Sequence, residues 1–472
     1  MAKVLMTHAA GREPASKATW ILLAVSVAVL TVIAISVPRL VQPSGWSSGE
    51  KFLFLALAGY LGASALYVLS VALRQPSLLP GGVALTRGAF LLHTCAVIAR
   101  WVTAGHAPLS NIYEMVLVFS WAVAALQLVA EWRFNLRFLG AITLPIAALS
   151  LILMQVLPGE MRPLVPALQS TWLQIHVTLA MLSYAGLTIS FSLALLYLTK
   201  DGVAPRTFLT WTAGLVAVIY GAIVLSSLDS SFSLLLPAWD PQNSEKVMLG
   251  PKQALMVPLS ALGWPFLLVL GSVLATLALN LLDSNSVRPN PWGSWARRLF
   301  LGSLFAQIVS LVLLLAKVES GPYFVPTVGQ SFAVHLSASP FLLAGIASAL
   351  FVTLAWEVFN WKTDVITEHL PQREALDALI YKTIAISFPL LTLMIIAGAY
   401  WANRTWGSYW SWDPKEDWAL ITWLTYAGYI HMRLTRGWRG RRSAYFAIIG
   451  FAIVMFTFFG VSYLLPGLHA YA

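Results

Sequence analysis

Runs of about 20 apolar residues recur along nearly the whole chain of 472 residues, the length an α-helix needs to cross the hydrocarbon core of a bilayer. Lipid admits only helices or closed barrels, and these runs lack the apolar–polar alternation of barrel strands. Apolar residues make up 58% of the chain and charged residues 10%, with a mean hydropathy of +0.76, a balance foreign to water-soluble globules. The chain therefore reads as an all-α, polytopic integral membrane bundle of about thirteen spans, at 19–37, 52–73, 84–102, 111–131, 136–157, 172–199, 208–228, 259–282, 298–318, 335–361, 378–401, 417–434 and 443–465.

The net charge of +10 does not point to nucleic acid, because no basic soluble domain carries it. Placing the N-terminus in the cytoplasm puts 20 of the 29 Lys and Arg on the inner side, including five arginines between Arg433 and Arg442. That is the expected bias of cytoplasmic loops. The N-terminal Lys3, Arg12 and Lys17 precede an apolar run from Trp20 to Val37, too long for a signal peptide and without a small-residue cleavage site, so it reads as an uncleaved first span. The single cysteine, Cys95, offers neither an internal disulfide nor a CxxC pair. Any thiol chemistry must come from a substrate or partner.

Five tryptophans, Trp401, Trp406, Trp410, Trp412 and Trp418, fall within 18 residues of a chain holding 20 in all. Their segment lies between two apolar runs, on the outer face by the charge bias. An interfacial aromatic belt would account for scattered indoles. This cluster is compact and interleaved with glycine and charge, which suits a shelf for a large planar ligand. Within it, Asp413, Pro414 and Glu416 stand at N-cap, N1 and N3 of the following span, a capping-box pattern that would start the helix and fix the tryptophans' pose. Arg404 and Lys415 are the nearest cations, equally suited to pairing with ligand carboxylates or to solvation.

Histidines give the second signal. His176 opens the sixth span and His469 lies in the C-terminal tail, both at the face of the tryptophan segment. Either alone would be an ordinary polar interfacial residue; two beside an indole shelf would supply both axial ligands of a haem iron. His431 lies about 18 residues into the twelfth span and His93 near the middle of the third. At such depth a titratable group is costly and is commonly functional or paired, so each is either an inner haem ligand or one end of a helix-to-helix hydrogen bond. His106 is a third outward histidine, while His8 and His369 lie in polar connections. Around His106, Ser110 or Asn111 can cap the fourth span, and Arg100 and Glu114 can pair across the turn. The outer connection from Asp229 to Val257 reads as a solvated loop, or else a lid or docking surface. No Walker loop, GxGxxG, HExxH or GxSxG is present, which leaves ATP-driven transport and hydrolysis by those routes unsupported.

The run WGSYWSWDPKEDWALITWL, with YIHMR downstream and GLHAYA at the end, resembles the tryptophan-rich (WWD) haem-handling proteins of cytochrome c biogenesis. Within them it is most similar to the CcsA/ResC branch of the system II cytochrome c synthase, which GHAPLSNIYE and IHVTLAMLSYA also resemble. These matches cover about 84–200 and 378–472. The resemblance implies a subunit of a holocytochrome c synthase of haem-lyase type, active with a ResB/CcsB-like membrane partner. It would present haem b on the outer face for thioether attachment to the CxxCH of apocytochrome c. His176 and His469 would be the outer axial ligands, and Trp406, Gly407, Trp410, Trp412, Asp413 and Glu416 would hold the macrocycle. His431 would be an inner ligand, its companion supplied by the partner or by His93. The implied location is the bacterial cytoplasmic membrane, or a thylakoid membrane in a plastid or cyanobacterium. A haem exporter without attachment activity, or a transporter of some other amphipath, shares these residues. Members of this branch usually have about eight spans, so the chain divides into 1–83, N-terminal spans; 84–204, the first part of the haem-handling core; 205–377, an inserted block holding His335; and 378–472, the tryptophan segment with its last spans and tail.

Overall fold

The computed structural model describes residues 48–469, apart from 135, 137–138, 155–156, 158–163, 204, 229, 240–246, 251–252, 286–290, 335–339 and 466. The expected first span, His8 and His335 lie outside the described residues. The twelve other expected spans each fall on a helix: α1 (Ser48–Ala72), α2 (Leu79–Ala104), α3 (Ile112–Phe134), α4 (Gly140–Met154), α5 (Thr171–Lys200), α6 (Pro205–Leu228), α7 (Gly263–Asn285), α8 (Trp292–Glu319), α9 (Pro340–His369), α10 (Arg373–Trp406), α11 (Pro414–Thr435) and α12 (Arg441–Met455). Beyond α12 the helix widens into a π turn, Phe456–Gly460, before a last short turn, α13 (Val461–Leu464). Nine of the described helices are long and apolar enough to cross a bilayer by themselves. The protein is a multi-pass helical membrane protein. Helix α11 is not among the nine, because Lys415, Glu416, Asp417, His431 and Arg433 dilute its apolar run.

Helix α5 is the hub. Within its apolar window 78% of the residues are buried, against 28% for α10. It lies along α10 and also packs on α3 and α12. Ser183 Oγ on α5 donates to the Ser387 carbonyl on α10 at 3.0 Å, two residues before Pro389, which interrupts the α10 ladder by its missing N–H. Helices α1 to α4 flank one side of this centre, while α6 to α9 form a ring of their own, each packed against two others.

One end of that second ring carries strands. In chain order they are β1 (Leu234–Trp239), β2 (Met248–Gly250), β3 (Gln253–Ala254), β4 (Met256–Leu259), β5 (Tyr323–Val325) and β6 (Gln330–Val334). An antiparallel sheet of order β4-β1-β6-β5 forms, with Leu234 opposite Leu259 and Ala238 opposite Val334. This corrects the reading of 229–257 as a solvated loop. Leu234, Leu236, Val257 and Leu259 are buried, and β6, the partner of β1, comes from about 95 residues further on, a pairing with no local signature.

At the end of the molecule opposite the tryptophan segment, acidic residues clamp the helices. Asp377 on α10 accepts both Nη atoms of Arg433 at 2.8 and 2.7 Å and the Gly440 amide at 2.9 Å. Asp201, just past α5, pairs with Arg373 at 2.7 Å and with Arg441. The arginine-rich connection is thus partly a structural lock as well as a topological signal.

Candidate functional site

The tryptophan segment begins where α10 stops. Gly407 takes φ +79 and its N–H returns to Asn403, the left-handed C-cap that glycine adopts without a Cβ penalty. The segment ends where α11 starts, in the capping box expected of Asp413 and Glu416. Lys415 N donates to Asp413 Oδ2 at 3.0 Å, and Asp413 N donates to Glu416 Oε2 at 3.3 Å. Ser411 also donates to Glu416 Oε2, from its amide at 2.7 Å and its hydroxyl at 3.1 Å.

Asp413 does more than cap. Its side chain is buried, its Oδ1 accepts the Leu468 amide, and its Oδ2 lies 2.7 Å from His469 Nδ1. One carboxylate therefore starts α11 and anchors the C-terminal tail. Burial alone would raise the Asp413 carboxyl; the His469 ring with the Lys415 and Leu468 amides outweighs it and holds the group below the usual range. Because the carboxylate accepts the Nδ1 proton, a neutral His469 ring carries its lone pair at Nε2.

His176, on the first turns of α5, is fixed in the same sense. Its Nδ1 lies 2.7 Å from the Met394 carbonyl of α10. A carbonyl only accepts, so Nδ1 is the donor and Nε2 bears the lone pair. The close approach depends on Gly398, where an added Cβ would sit 2.6 Å from both Cε1 and Nδ1 of the ring. Both histidines rest on Trp401. Its indole stacks with the His176 ring at 6.4 Å between centroids and 14° between planes, and lies 5.8 Å from His469. Trp401 is 1% exposed and its Nε1 donates to the Ala167 carbonyl at 3.0 Å. Trp406 meets His469 edge-on at 5.1 Å.

The two histidines open on one cavity of about 750 Å³, part of it continuous with solvent. Its walls are mostly apolar: Met115, Val177, Met181 and Tyr184, with Ala419 of α11 and Phe458 of the π turn. Trp410, Tyr409, Lys415 and Glu416 line it as well. Burial lowers the Lys415 ammonium to about 8, with the Asp413 carboxylate opposing. An apolar lining with few polar groups is that of a ligand pocket.

Not every expected site residue reaches this cavity. His176, His469, Trp410 and Glu416 line it, whereas Trp406, Gly407, Trp412 and Asp413 do not. Trp406 backs His469, Gly407 caps α10, and Asp413 holds the tail. Trp412 is 72% exposed with φ +57 and meets Trp410 edge-on at 6.1 Å. His431 is exposed on α11, about 27 Å along the axis from Asp413. His93 is not its companion. Both ring nitrogens are engaged, Nδ1 with Tyr60 Oη at 3.1 Å and Nε2 with the Leu117 carbonyl at 3.2 Å, and the ring is wholly buried. His93 is the helix-to-helix link that was the plainer of its two readings. The His106 ring bonds its neighbour's carbonyl, that of Ala107, at 3.0 Å. Beside it Glu114 takes Arg100 at 2.9 Å and the Ser110 amide and hydroxyl at 2.9 and 2.6 Å, and Asn111 caps α3 through the Glu114 amide. Gly398, the Met394 carbonyl and Trp401's role as a backing wall carry no motif that sequence reading could have isolated.

The fold and this site define a polytopic helical membrane protein with a paired-histidine, indole-backed cavity at one membrane face. A family model described as cytochrome c assembly protein matches residues 109–469, and the chain belongs to that family. It is 33% identical to a "Cytochrome c biogenesis protein CcsA" of Synechococcus sp. over 88% of this chain and 92% of the relative. Proteins of the same description in Nostoc punctiforme and Synechocystis sp. are 33% and 31% identical, each over 92% of this chain and at least 98% of their own length. The protein thus has a role in cytochrome c maturation, a process that handles haem and apocytochrome. Such coverage leaves about an eighth of this chain or less unmatched, shorter than the 205–377 block, so most of that block lies within the span these relatives match.

Proposed function

We propose that the cavity binds haem and presents it at the outer membrane face for covalent attachment to apocytochrome c. The observation that carries this reading is the matched pair of imidazoles, His176 and His469, each donating Nδ1–H and each keeping its Nε2 lone pair for iron. Among the described residues no group of three His, Cys, Asp or Glu could hold a bare metal ion. Two imidazoles suffice only for an iron whose equatorial positions are already filled, which is the porphyrin case. The apolar walls, with Tyr409 and Trp410 among the lining residues, suit a tetrapyrrole.

His176 and His469 would be the axial ligands, oriented by Met394 and Asp413. Trp401 and Trp406 hold the ligand rings from behind, and Trp410 with Tyr409 bounds the open rim, where Trp412 is available to the incoming polypeptide. The attachment step adds each cysteine S–H of CxxCH across a vinyl C=C: sulfur bonds to the inner vinyl carbon, hydrogen to the terminal one, and nothing is oxidised or reduced overall. The chain's part is binding, orientation and exclusion of water, which supply rate by proximity. His431 serves as an inner ligand completed by a ResB/CcsB-like partner, in the bacterial cytoplasmic membrane or in a thylakoid.

The test is to purify the protein with such a partner and record its visible spectrum, then assay holocytochrome formation. A Soret band with bis-histidine α and β bands, diminished in His176→Ala and in His469→Ala together with holocytochrome yield, is expected. Undiminished holocytochrome in both variants would sink the ligand assignment.

A further inference from the structure

We infer that Lys415 is the carboxylate anchor of this cavity, pairing with a propionate of the bound tetrapyrrole and so fixing which edge of the macrocycle faces outward. The inference rests on the haem reading above and adds to it an orientation.

Of the two cations near the tryptophan segment, only Lys415 lines the cavity. Arg404 is committed elsewhere: its Nη2 donates to Tyr400 Oη at 3.0 Å and its guanidinium lies over the same ring at 5.3 Å from the centroid. Lys415 makes its contact with Asp413 through its backbone amide. Its ammonium has no ion-pair or hydrogen-bond partner among the described residues. Asp413 is saturated by His469, Leu468 and the Lys415 amide, and Oε2 of Glu416, the adjacent carboxylate, is taken by Ser411 and Asp413. An ammonium at a mostly apolar cavity, with carboxylates near it but none bonded to it, is costly, and a carboxylate-bearing apolar ligand that bonds it directly lowers that cost.

The geometry supplies a consequence. Lys415 stands on the first turn of α11, while His176 and His469 reach the cavity from α5 and the tail. The axial bonds define the iron's position and leave the macrocycle free to rotate about them. A single point charge at the rim removes that freedom. Haem carries its two propionates on one edge and its vinyls away from it, so anchoring the acid edge at α11 turns the vinyls towards the rest of the rim.

The experiment compares two ligands on the whole purified protein. Haem and its propionate dimethyl ester are titrated, by Soret absorbance, into wild type, Lys415→Gln and Lys415→Arg. Wild type is expected to bind haem about tenfold more tightly than the ester, the size of one charge-assisted hydrogen bond. Lys415→Gln should lose that preference with its ester affinity and bis-histidine band positions unchanged, and Lys415→Arg should keep most of it. Equal affinity of wild type for acid and ester overturns the assignment without any substitution. So does a Lys415→Gln variant that weakens both ligands alike, which would mark a structural role or an anionic lipid as the true partner. A wild type that gives no Soret band with either ligand overturns the haem reading itself, a result separate from the other two.

Discussion

His469 Nδ1 and Asp413 Oδ2 lie 2.7 Å apart, across 56 residues, and this bond ties the C-terminal tail to the first turn of α11. A carboxylate behind a ligating imidazole fixes ring and tautomer and makes Nε2 more basic. Asp413→Asn keeps the shape and removes the charge. Haem affinity should fall about 10- to 100-fold, and the haem reduction potential should rise, because a less basic imidazole favours ferric iron less. A Soret titration and a redox titration check the two effects, and unchanged values in both would reduce Asp413 to a helix cap.

The same carboxyl sets a pH window. Its folded value lies below the ordinary carboxylate range, so its contribution is complete above the unfolded value of about 4 and is lost as pH falls through the lower folded one. Docking of the tail should therefore not vary with Asp413 ionisation between pH 5 and 8, and should loosen only in stronger acid. Protease access to the segment after Leu465, followed against pH in wild type and Asp413→Asn, reads this directly: wild type protected throughout the window, the variant more open at every pH within it.

Gly398 offers a sharper probe of His176. An alanine Cβ there would meet the ring at 2.6 Å from two of its atoms, so the imidazole must turn away from the Met394 carbonyl. Gly398→Ala should cost at least tenfold in haem affinity and convert the bis-histidine spectrum towards a five-coordinate or mixed one. Gly428→Ala on α11 is the control. Its nearest neighbour is Phe446 at 3.7 Å, an ordinary contact, and it should bind haem as wild type does.

Local signals in the chain account for the spans that fall on described helices, the caps of α3 and α11, and the face on which His176 and His469 meet, because apolar length and capping chemistry are properties of short segments. The site's depth is another matter. Met394, Gly398 and Trp401 matter through α10's packing on α5, more than 200 residues away in sequence, and the capping box hid Asp413's second partner, His469. Strand β1 was missed for the same reason, its sheet neighbour β6 being distant. His93 shows the converse. Burial in a membrane core suggested function, and Tyr60 and Leu117 satisfy it completely.

That satisfaction makes a prediction. His93→Phe leaves Tyr60 Oη and the Leu117 carbonyl without the ring's hydrogen bonds in a fully buried site, each loss worth about 1–3 kcal/mol. Thermal stability in detergent should fall clearly, while Soret position and haem affinity per folded molecule stay as in wild type. A shifted haem spectrum in the folded variant would restore His93 as a ligand.

The pair Asp377–Arg433 carries the last prediction, because it separates the inner histidine from its scaffold. Arg433 is two residues beyond His431, and its bidentate bond to Asp377, with both side chains 11% exposed, pins the C-terminal end of α11 to α10. Asp377 also holds the Gly440 amide at the start of α12. Removing one partner of a buried pair leaves the other charge uncompensated, at about 3 kcal/mol or more. Asp377→Asn should therefore lower thermal stability and loosen the connection between α11 and α12, read as faster amide exchange from Thr435 to Gly440. The outer site lies at the other end of α11, about 30 Å away along the helix, and should keep its bis-histidine spectrum. His431→Ala should do the reverse of Asp377→Asn at the inner end: its ring is exposed and no side-chain bond of its own supports the fold among the described residues, so stability stays while haem loading of the outer site falls. If His431→Ala instead destabilised the protein as Asp377→Asn does, with loading per folded molecule unchanged, His431 would be scaffold and the inner station would have to lie elsewhere.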